Sequence, residues 1–164
     1  MNDENSYSDF LEILLNSRIK LLGRDGFSSQ NRSGYSATGK SPGSLDLRMI
    51  LENKNLLIEA IRWHNSNFKA DLQEHITKTF NYDPSRVAFY NVMYYEHNDF
   101  HNDWIKFKDD IFTNLNFPTQ YPICGDIEDI SDKLGNNSVR VALSLHANDL
   151  SFYHILVNIN YKTK

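Results

Sequence analysis

The chain has 164 residues, of which 40% are hydrophobic and 23% charged, and its formal net charge is −4. This composition is typical of a single folded domain, residues 1–164, and excludes a disordered chain. No segment approaches the roughly 20 apolar residues that a membrane helix needs, so we expect no membrane span. Cys124 is the single cysteine, which excludes an internal disulfide and favours a reducing compartment such as the cytoplasm.

The charges are distributed unevenly along the chain. Residues 17–86 carry 11 basic and 7 acidic side chains, whereas residues 87–164 carry 6 basic and 10 acidic ones. An anionic ligand is therefore expected to bind to the first half. The overall balance argues against a strongly basic coat that binds nucleic acid non-specifically, but it is compatible with a local basic groove.

The first half of the chain predicts a helix followed by a β-hairpin. Apolar residues at helical spacing predict a helix over residues 6–22, which ends at Gly23. Residues 23–45, rich in Gly, Ser, Asn and Thr, predict a long loop or a distorted strand pair. Two alternating segments joined by a polar turn then predict an antiparallel hairpin, with strands Leu45–Leu51 and Leu56–Arg62.

The second half predicts further helices and strands. Ser66–Phe80 is expected to be a helix with one broad apolar face, and Arg86–Tyr95 is the strongest strand pattern in the chain. Asn98 is expected to cap a helix that continues to about Leu115. The remaining elements are an acidic helix or loop and two closing strands: Asp126–Lys133, Ser138–Leu145 and Leu150–Ile159. This order predicts an α/β fold with a mixed central sheet flanked by helices.

Two carboxylates, Asp46 and Glu59, lie on the two strands of the predicted hairpin. A hairpin would bring both side chains to one end and one face of the sheet, on adjacent antiparallel strands. Two such oxygen donors can hold Mg²⁺ or Mn²⁺, with water and phosphate oxygens completing the shell. The ion would activate water and offset charge on a transferring phosphoryl group. The alternative is a pair of ordinary edge or salt-bridge carboxylates.

The arrangement resembles the PD-(D/E)xK nuclease superfamily, which places an Asp on one strand and Glu-x-Lys on the next. The order of elements over residues 6–95 is similar to the helix, three strands, helix and strand of that restriction-endonuclease-like core. The run NRSGYSATGKSPGSLDL and the later stretch from Glu74-His75-Ile76 to Tyr82-Asp83 are similar to nuclease-like domains of bacterial defence proteins. The resemblance implies a metal-dependent nuclease that cleaves DNA or RNA phosphodiesters in a defence context.

The sequence departs from the family pattern at two positions. Ile61 stands where the resemblance places the catalytic lysine, and Ser44 stands where a Glu often precedes the strand Asp. Arg62 cannot simply replace that lysine, because successive residues of a strand point to opposite faces. Lys40 on the preceding loop, or Lys69 on the following helix, could supply the missing charge.

The resemblance therefore implies a catalytic set of Asp46, Glu59 and Lys40, with Asp46 and Glu59 as metal ligands. The nucleic-acid backbone would contact basic residues that flank this set: Arg32, Arg62 and Lys69. Lys40 and Arg32 could equally be a solvated and a loop-stabilising residue. His75 could be a hydrogen-bonded histidine at the core edge or a catalytic base.

A second class of function stays open at this point. A non-catalytic module of the same fold would bind a protein partner or sense a ligand, and Ile61 would then mark the lost lysine. Either function would suit one domain of a larger defence protein.

Overall fold

The computed structural model describes residues 4–21, 47–51, 54–63, 66–82 and 86–160. Its helices and strands follow the order α-β-β-α-β-α-β-β-β. They are α1 (Glu4–Leu21), β1 (Leu47–Leu51), β2 (Lys54–Trp63), α2 (Phe68–Tyr82), β3 (Arg86–Tyr95), α3 (Phe100–Lys106), β4 (Glu128–Asp129), β5 (Val139–His146) and β6 (Leu150–Asn158). No helix among these residues is long and apolar enough to cross a membrane.

The described strands form one mixed sheet in the order β1-β2-β3-β6-β5-β4. β2, β3 and β6 are parallel to one another, and the remaining neighbours pair antiparallel. The predicted α/β class with a mixed sheet is confirmed. So is the hairpin, because β1 pairs with β2 from Leu47↔Ile58 to Leu51↔Lys54.

One face of the sheet, here called the α2 face, carries the larger core. Odd-numbered residues of β2 and β3 point to it because strand side chains alternate between faces. They pack with α2, α3 and the inward side chains of β5 and β6. Aromatic rings dominate: Trp63 stacks on Phe68 at a centroid distance of 4.2 Å and meets Tyr95 edge-on at 5.6 Å. Such rings bury large apolar areas and so hold α2 and α3 against the sheet.

The opposite face, here called the α1 face, carries a smaller apolar cluster. Ile58, Ala60, Val92 and Tyr94 are buried there. One side of α1 packs against them through partly buried residues, including Tyr7, Leu11 and Leu15. The two predicted flanking helices therefore lie on opposite faces, and the central strands are covered on both sides.

The predicted cap of the third helix is wrong. Asp99, not Asn98, occupies the N-cap position, and its side chain makes no capping hydrogen bond. Instead the Tyr95 hydroxyl accepts from the Asp99 backbone N–H at 3.0 Å and donates to Asp103 at 2.6 Å. Asn98 accepts a hydrogen bond from Asn160. The hydroxyl of Tyr95, at the end of β3, thus takes the place of a capping side chain at the start of this helix.

The helical path after α3 changes its winding twice. Lys106 is followed by a π-helical turn, Phe107–Ile111, and by a 3₁₀ turn, Phe112–Asn114, so the path ends close to the predicted Leu115. The acidic stretch predicted as helix or loop contains the short strand β4 and a 3₁₀ turn, Ser131–Leu134.

Asp129 joins α3 to the far edge of the sheet. Its carboxylate accepts from the Trp104 indole N–H at 2.8 Å, from Lys108 at 2.7 Å and from the Ser131 hydroxyl at 2.6 Å. Burial acts to raise the pKa of Asp129, but the hydrogen bonds from Lys108, Ser131 and Trp104 outweigh it and hold that pKa well below its usual range. These hydrogen bonds therefore stabilise the ionised form of the Asp129 carboxylate in the folded protein.

We expect Asp129→Ala to lower the free energy of unfolding by about 2–3 kcal/mol, because the buried Trp104 N–H loses its charged acceptor. Urea unfolding followed by tryptophan fluorescence measures this change. The neighbouring Glu128→Ala is the control, since its ion pair with Lys133 is well exposed and should be worth under about 1 kcal/mol. Equal losses in the two variants would contradict the role given to Asp129.

Candidate functional site around Glu59

Glu59 is a carboxylate in the middle of the apolar stretch of β2, which runs from Leu56 to Ile61. It lies in β2 on the α2 face, between the buried side chains of Leu57 and Ile61, and is itself 5% exposed. A buried carboxylate is costly unless charged or hydrogen-bonding groups compensate it. Its position on the strand thus points to a specific role for the acid rather than to a solvated face.

His75 of α2 lies against this carboxylate. Its Nδ1 is 3.4 Å from Glu59 Oε2, and its side chain is 25% exposed, against 6% for Glu59. α2 places His75 there because its buried positions Leu72, Ile76 and Thr79 face the sheet on the same side of the helix. Of these two side chains, His75 is therefore the one that is partly exposed to solvent.

Glu59 begins a line of polar side chains across the sheet. The parallel register pairs Glu59 with Asn91 of β3, and Asn91 with His154 of β6. Asn91 is 3% exposed and His154 is fully buried. These three residues, here called the buried polar row, share the α2 face with aromatic neighbours: His154 stacks on Phe152 at 4.5 Å.

The row continues into a hydrogen-bonded cluster. Ser144 Oγ lies 3.0 Å from His146 Nε2 and 3.1 Å from His154 Nε2, and His146 Nδ1 lies 3.0 Å from the Tyr121 carbonyl. That carbonyl can only accept, so neutral His146 carries its proton on Nδ1. Ser144 then donates to His146 Nε2 and accepts from His154 Nε2–H. The remaining nitrogen of His154, Nδ1, is left with a lone pair.

Burial keeps both histidines of this cluster neutral. Desolvation lowers the pKa of His146, although its hydrogen bond to Tyr121 opposes the shift. Desolvation, with a smaller effect from His146, lowers the pKa of His154 to about 3. Ser144 and His146 have the hydrogen bond of a nucleophile and its base. Ser144 is fully buried, so no substrate reaches it and we assign it no catalytic role.

Three of the predicted site residues, Asp46, Lys40 and Arg32, lie outside the described residues. Asp46 directly precedes Leu47, whose partner across the hairpin is Ile58. Within the described parts of the chain, no group of three or more His, Cys, Asp or Glu side chains is placed to hold a metal ion.

The other two predicted residues, Arg62 and Lys69, do not join Glu59. Strand alternation places Arg62 on the α1 face, where its guanidinium donates to both oxygens of Glu96 at 2.7 Å. Lys69 lies in the first turn of α2 and lines a cavity of about 550 Å³ with Trp63, Asp99 and Asp103. That cavity lies at the carboxyl ends of β2 and β3, and Glu59 does not line it.

Ile61, at the position of the expected lysine, is a core residue. It is 3% exposed and packs in the larger apolar cluster. A strand residue two positions from Glu59 faces the same side, so this side of the carboxylate is apolar along β2.

Sequence analysis missed the polar residues next to Glu59. Asn91 and His154 each occupy an inward position of a strand whose other inward residues are large and apolar. Such a polar residue, at the spacing of two that places it among the apolar residues, is a signal that could have identified both. On β5 the positions around Ser144 include Arg140 and His146, so the sequence gives no such signal there. The alignment of these residues across the sheet requires the register, which no local pattern supplies.

No protein-family model matches the chain, and comparisons with curated proteins and with solved structures also give no match.

We expect the stability of the protein to fall as the pH drops from about 6.5 toward 3. A buried histidine with a lowered pKa stays neutral in the folded state, whereas the unfolded chain binds the proton near pH 6.5. The contribution of the neutral histidines to the free energy of unfolding is therefore fully present above about pH 6.5. Below that pH, each such histidine lowers the free energy of unfolding by up to about 1.4 kcal/mol per pH unit. Urea unfolding between pH 7.5 and about 5.5 measures this slope above the range in which most carboxylates titrate.

His154→Gln keeps a hydrogen-bond donor for Ser144 but cannot take up a proton. This variant should be less stable at pH 7.5 and should show a shallower slope than the wild type. His101→Gln, at an exposed position of α3, should retain the wild-type slope. Parallel slopes for His154→Gln and the wild type would show that His154 does not carry the pH dependence.

Proposed function

We propose that this chain is a metal-dependent nuclease-like domain of the restriction-endonuclease-like type, with Glu59 at its centre. The observation that carries the proposal is a buried carboxylate on the second strand of the hairpin, with a partly exposed histidine against it. The order helix, hairpin, helix and parallel strand from α1 to β3 supports the resemblance to PD-(D/E)xK nucleases in part, because the described residues supply two of the three strands that the family places between its helices. Nucleic-acid phosphodiesters, in a bacterial defence context, are the proposed substrates.

The donor set fits a hard divalent cation. Asp46 and Glu59 would hold Mg²⁺ or Mn²⁺, because carboxylate oxygens are the ligands that these ions prefer. When bound, the ion would lower the pKa of a water molecule and offset charge on the phosphoryl group. Asp46 precedes the first residue of β1, and β1 pairs with the strand that carries Glu59. This sequence position supports the assignment of Asp46.

His75 is the candidate proton acceptor. Its imidazole combines contact with Glu59 and partial exposure, which a group that exchanges protons with solvent and substrate needs. Glu59 would orient the ring and stabilise its protonated form. His75 is thus proposed as a base, in addition to the residues that the family pattern names.

The positive charge of the absent family lysine must come from outside β2. Ile61 is an apolar core residue. Arg62 lies on the α1 face of the sheet, where it forms a bidentate ion pair with Glu96. Lys40, in the segment that precedes β1 in the sequence, is the proposed substitute, because the long side chain of a lysine can present its charge to a phosphate from outside β2. Arg32 and Lys69 are proposed to contact the nucleic-acid backbone; Arg62, which the sequence also suggested for this role, is left out because it faces away from Glu59.

One observation favours a second function, a non-catalytic module that binds a protein partner or senses a ligand. The burial of Ile61 in the core shows an apolar residue fully accommodated where the family carries its lysine. Such a domain would retain the fold and lack cleavage, so an activity assay separates the two functions.

We expect weak, Mn²⁺-dependent cleavage of DNA or RNA by the wild-type domain. Glu59→Gln should abolish it, and Lys40→Ala should reduce it by about 10²–10³, the usual loss when a positioned charge is removed. The assay compares duplex DNA, single-stranded DNA and RNA. Glu74→Gln is the matched control on α2, because its carboxylate is 67% exposed and pairs with Lys78. Cleavage unaffected by both site substitutions would show that the active site lies elsewhere, and the absence of cleavage in all variants would favour the binding module.

Metal binding provides an independent test. We expect calorimetry to show weak binding of Mn²⁺ at millimolar concentration, since a site with few protein ligands leaves the ion largely hydrated. Asp46→Ala and Glu59→Gln should each abolish the binding heat. A wild-type protein without metal-dependent heat would contradict the nuclease proposal.

A further inference from the structure

The side of α1 that faces away from the sheet is apolar. Phe10 is 60% exposed, Ile13 is 66% exposed and Leu14 is 49% exposed. These are three of the six large apolar side chains that are exposed in the described parts of the chain, and the other three lie on three different elements. Single exposed apolar residues are ordinary on a protein surface, whereas a group of them on one element indicates an interaction surface.

Helical spacing collects these side chains on one stripe, here called the outer face of α1. Phe10, Ile13, Leu14 and Ser17 follow the spacing i, i+3, i+4 and i+7, which places residues on the same side of a helix. The opposite side of α1, which includes Leu11, packs against the sheet. A helix that is apolar on two sides is typical of one that is covered on both of them.

Ser17 is the polar member of the outer face, and its hydroxyl is already satisfied. The hydroxyl donates to the Leu14 carbonyl, one turn earlier in the same helix, at 2.7 Å. Burial of Ser17 against an apolar surface would therefore leave no donor without a partner. Its small side chain also leaves room for a larger one from the molecule that covers this face.

The charges along α1 indicate that this molecule is a second copy of the chain. Residues 4–12 include three acidic residues and no basic one, whereas residues 13–21 include two basic residues and no acidic one. In an antiparallel pair of these helices, the acidic half of each copy lies beside the basic half of the other. The two helix dipoles are then also opposed, which is favourable. A parallel pair would bring like charges together.

We propose that the chain forms a homodimer in which two copies of the outer face of α1 pack against each other in antiparallel orientation. The two-fold axis passes between Ile13 and Leu14, so that these residues meet their counterparts at the centre. The large ring of Phe10 in one copy then lies beside the small Ser17 of the other. The sizes of the side chains and the charges thus favour the same orientation.

The inference is independent of the proposed function. α1 covers one face of the sheet, whereas Glu59 lies on the opposite face, towards α2. A dimer formed through α1 therefore leaves the surroundings of Glu59 and His75 open in both copies. Loss of the dimer and loss of cleavage or metal binding are separate results.

Sedimentation equilibrium of the full chain tests the pairing. The wild type should form a dimer that dissociates on dilution through the micromolar range, because the outer face of one helix is a small interface. Ile13→Glu should raise the dimer Kd at least about tenfold, since it places two carboxylates at the apolar centre of the interface. Leu134→Glu is the matched control: Leu134 is 49% exposed, like Leu14, but lies in the 3₁₀ turn Ser131–Leu134. Its dimer Kd should equal that of the wild type.

The dependence of the dimer on salt tests its orientation. Raising NaCl from about 0.05 M to about 0.5 M should weaken an antiparallel dimer, because salt screens the attraction between the oppositely charged halves. A dimer that becomes tighter with salt would overturn the antiparallel arrangement. A wild-type chain that is monomeric at about 100 μM, or a dimer that Ile13→Glu leaves unchanged, would overturn the inference as a whole.

Discussion

The coverage of three parallel strands on both faces is the constraint on which the rest of the structure depends. β2, β3 and β6 have α1 on one side and α2 with α3 on the other, so their central residues have no solvent-facing side. Any polar side chain at these positions must find its partners inside the protein. Glu59, Asn91 and His154 are such residues, and the register aligns them. The interior of this domain is consequently apolar along each strand and polar across one line of the sheet.

Local patterns in the sequence were enough to predict most elements, because each depends on its own periodicity. The hairpin, the helix that became α2 and the strand Arg86–Tyr95 are found where expected. The buried polar row was not predicted, apart from Glu59. Asn91 and His154 are 63 positions apart in the chain, and only the parallel pairing of β3 with β6 brings them together. Register between distant parallel strands is a tertiary property, so the site could be predicted one residue at a time but not as a set.

The region after β3 shows a different case, in which one short-range contact prevails over another. Asn98 is a favourable capping residue, yet the Tyr95 hydroxyl determines the start of α3 by bonding Asp99 and Asp103. Burial, reinforced by the Asp103 carboxylate, raises the pKa of Tyr95, so the hydroxyl keeps its proton and its role as donor. Downstream, the π-helical turn widens the helix at Phe107. This widening allows Phe107 and Phe112, five residues apart, both to pack against His154, at ring distances of 5.7 and 5.0 Å.

The two ends of the polar interior differ, and the difference indicates where chemistry can occur. At one end Ser144 and His146 lead to the Tyr121 carbonyl, and every proton there has a fixed place. At the other end Glu59 meets His75, whose ring reaches solvent. A closed, neutral network stabilises one conformation and cannot exchange protons with a substrate, whereas an acid beside a solvent-accessible imidazole can. The apolar residue Ile61 sharpens this contrast, because it leaves the carboxylate without a cation from its own strand. Any positive charge that acts at this end must therefore come from another part of the chain, from a metal ion or from the ligand itself.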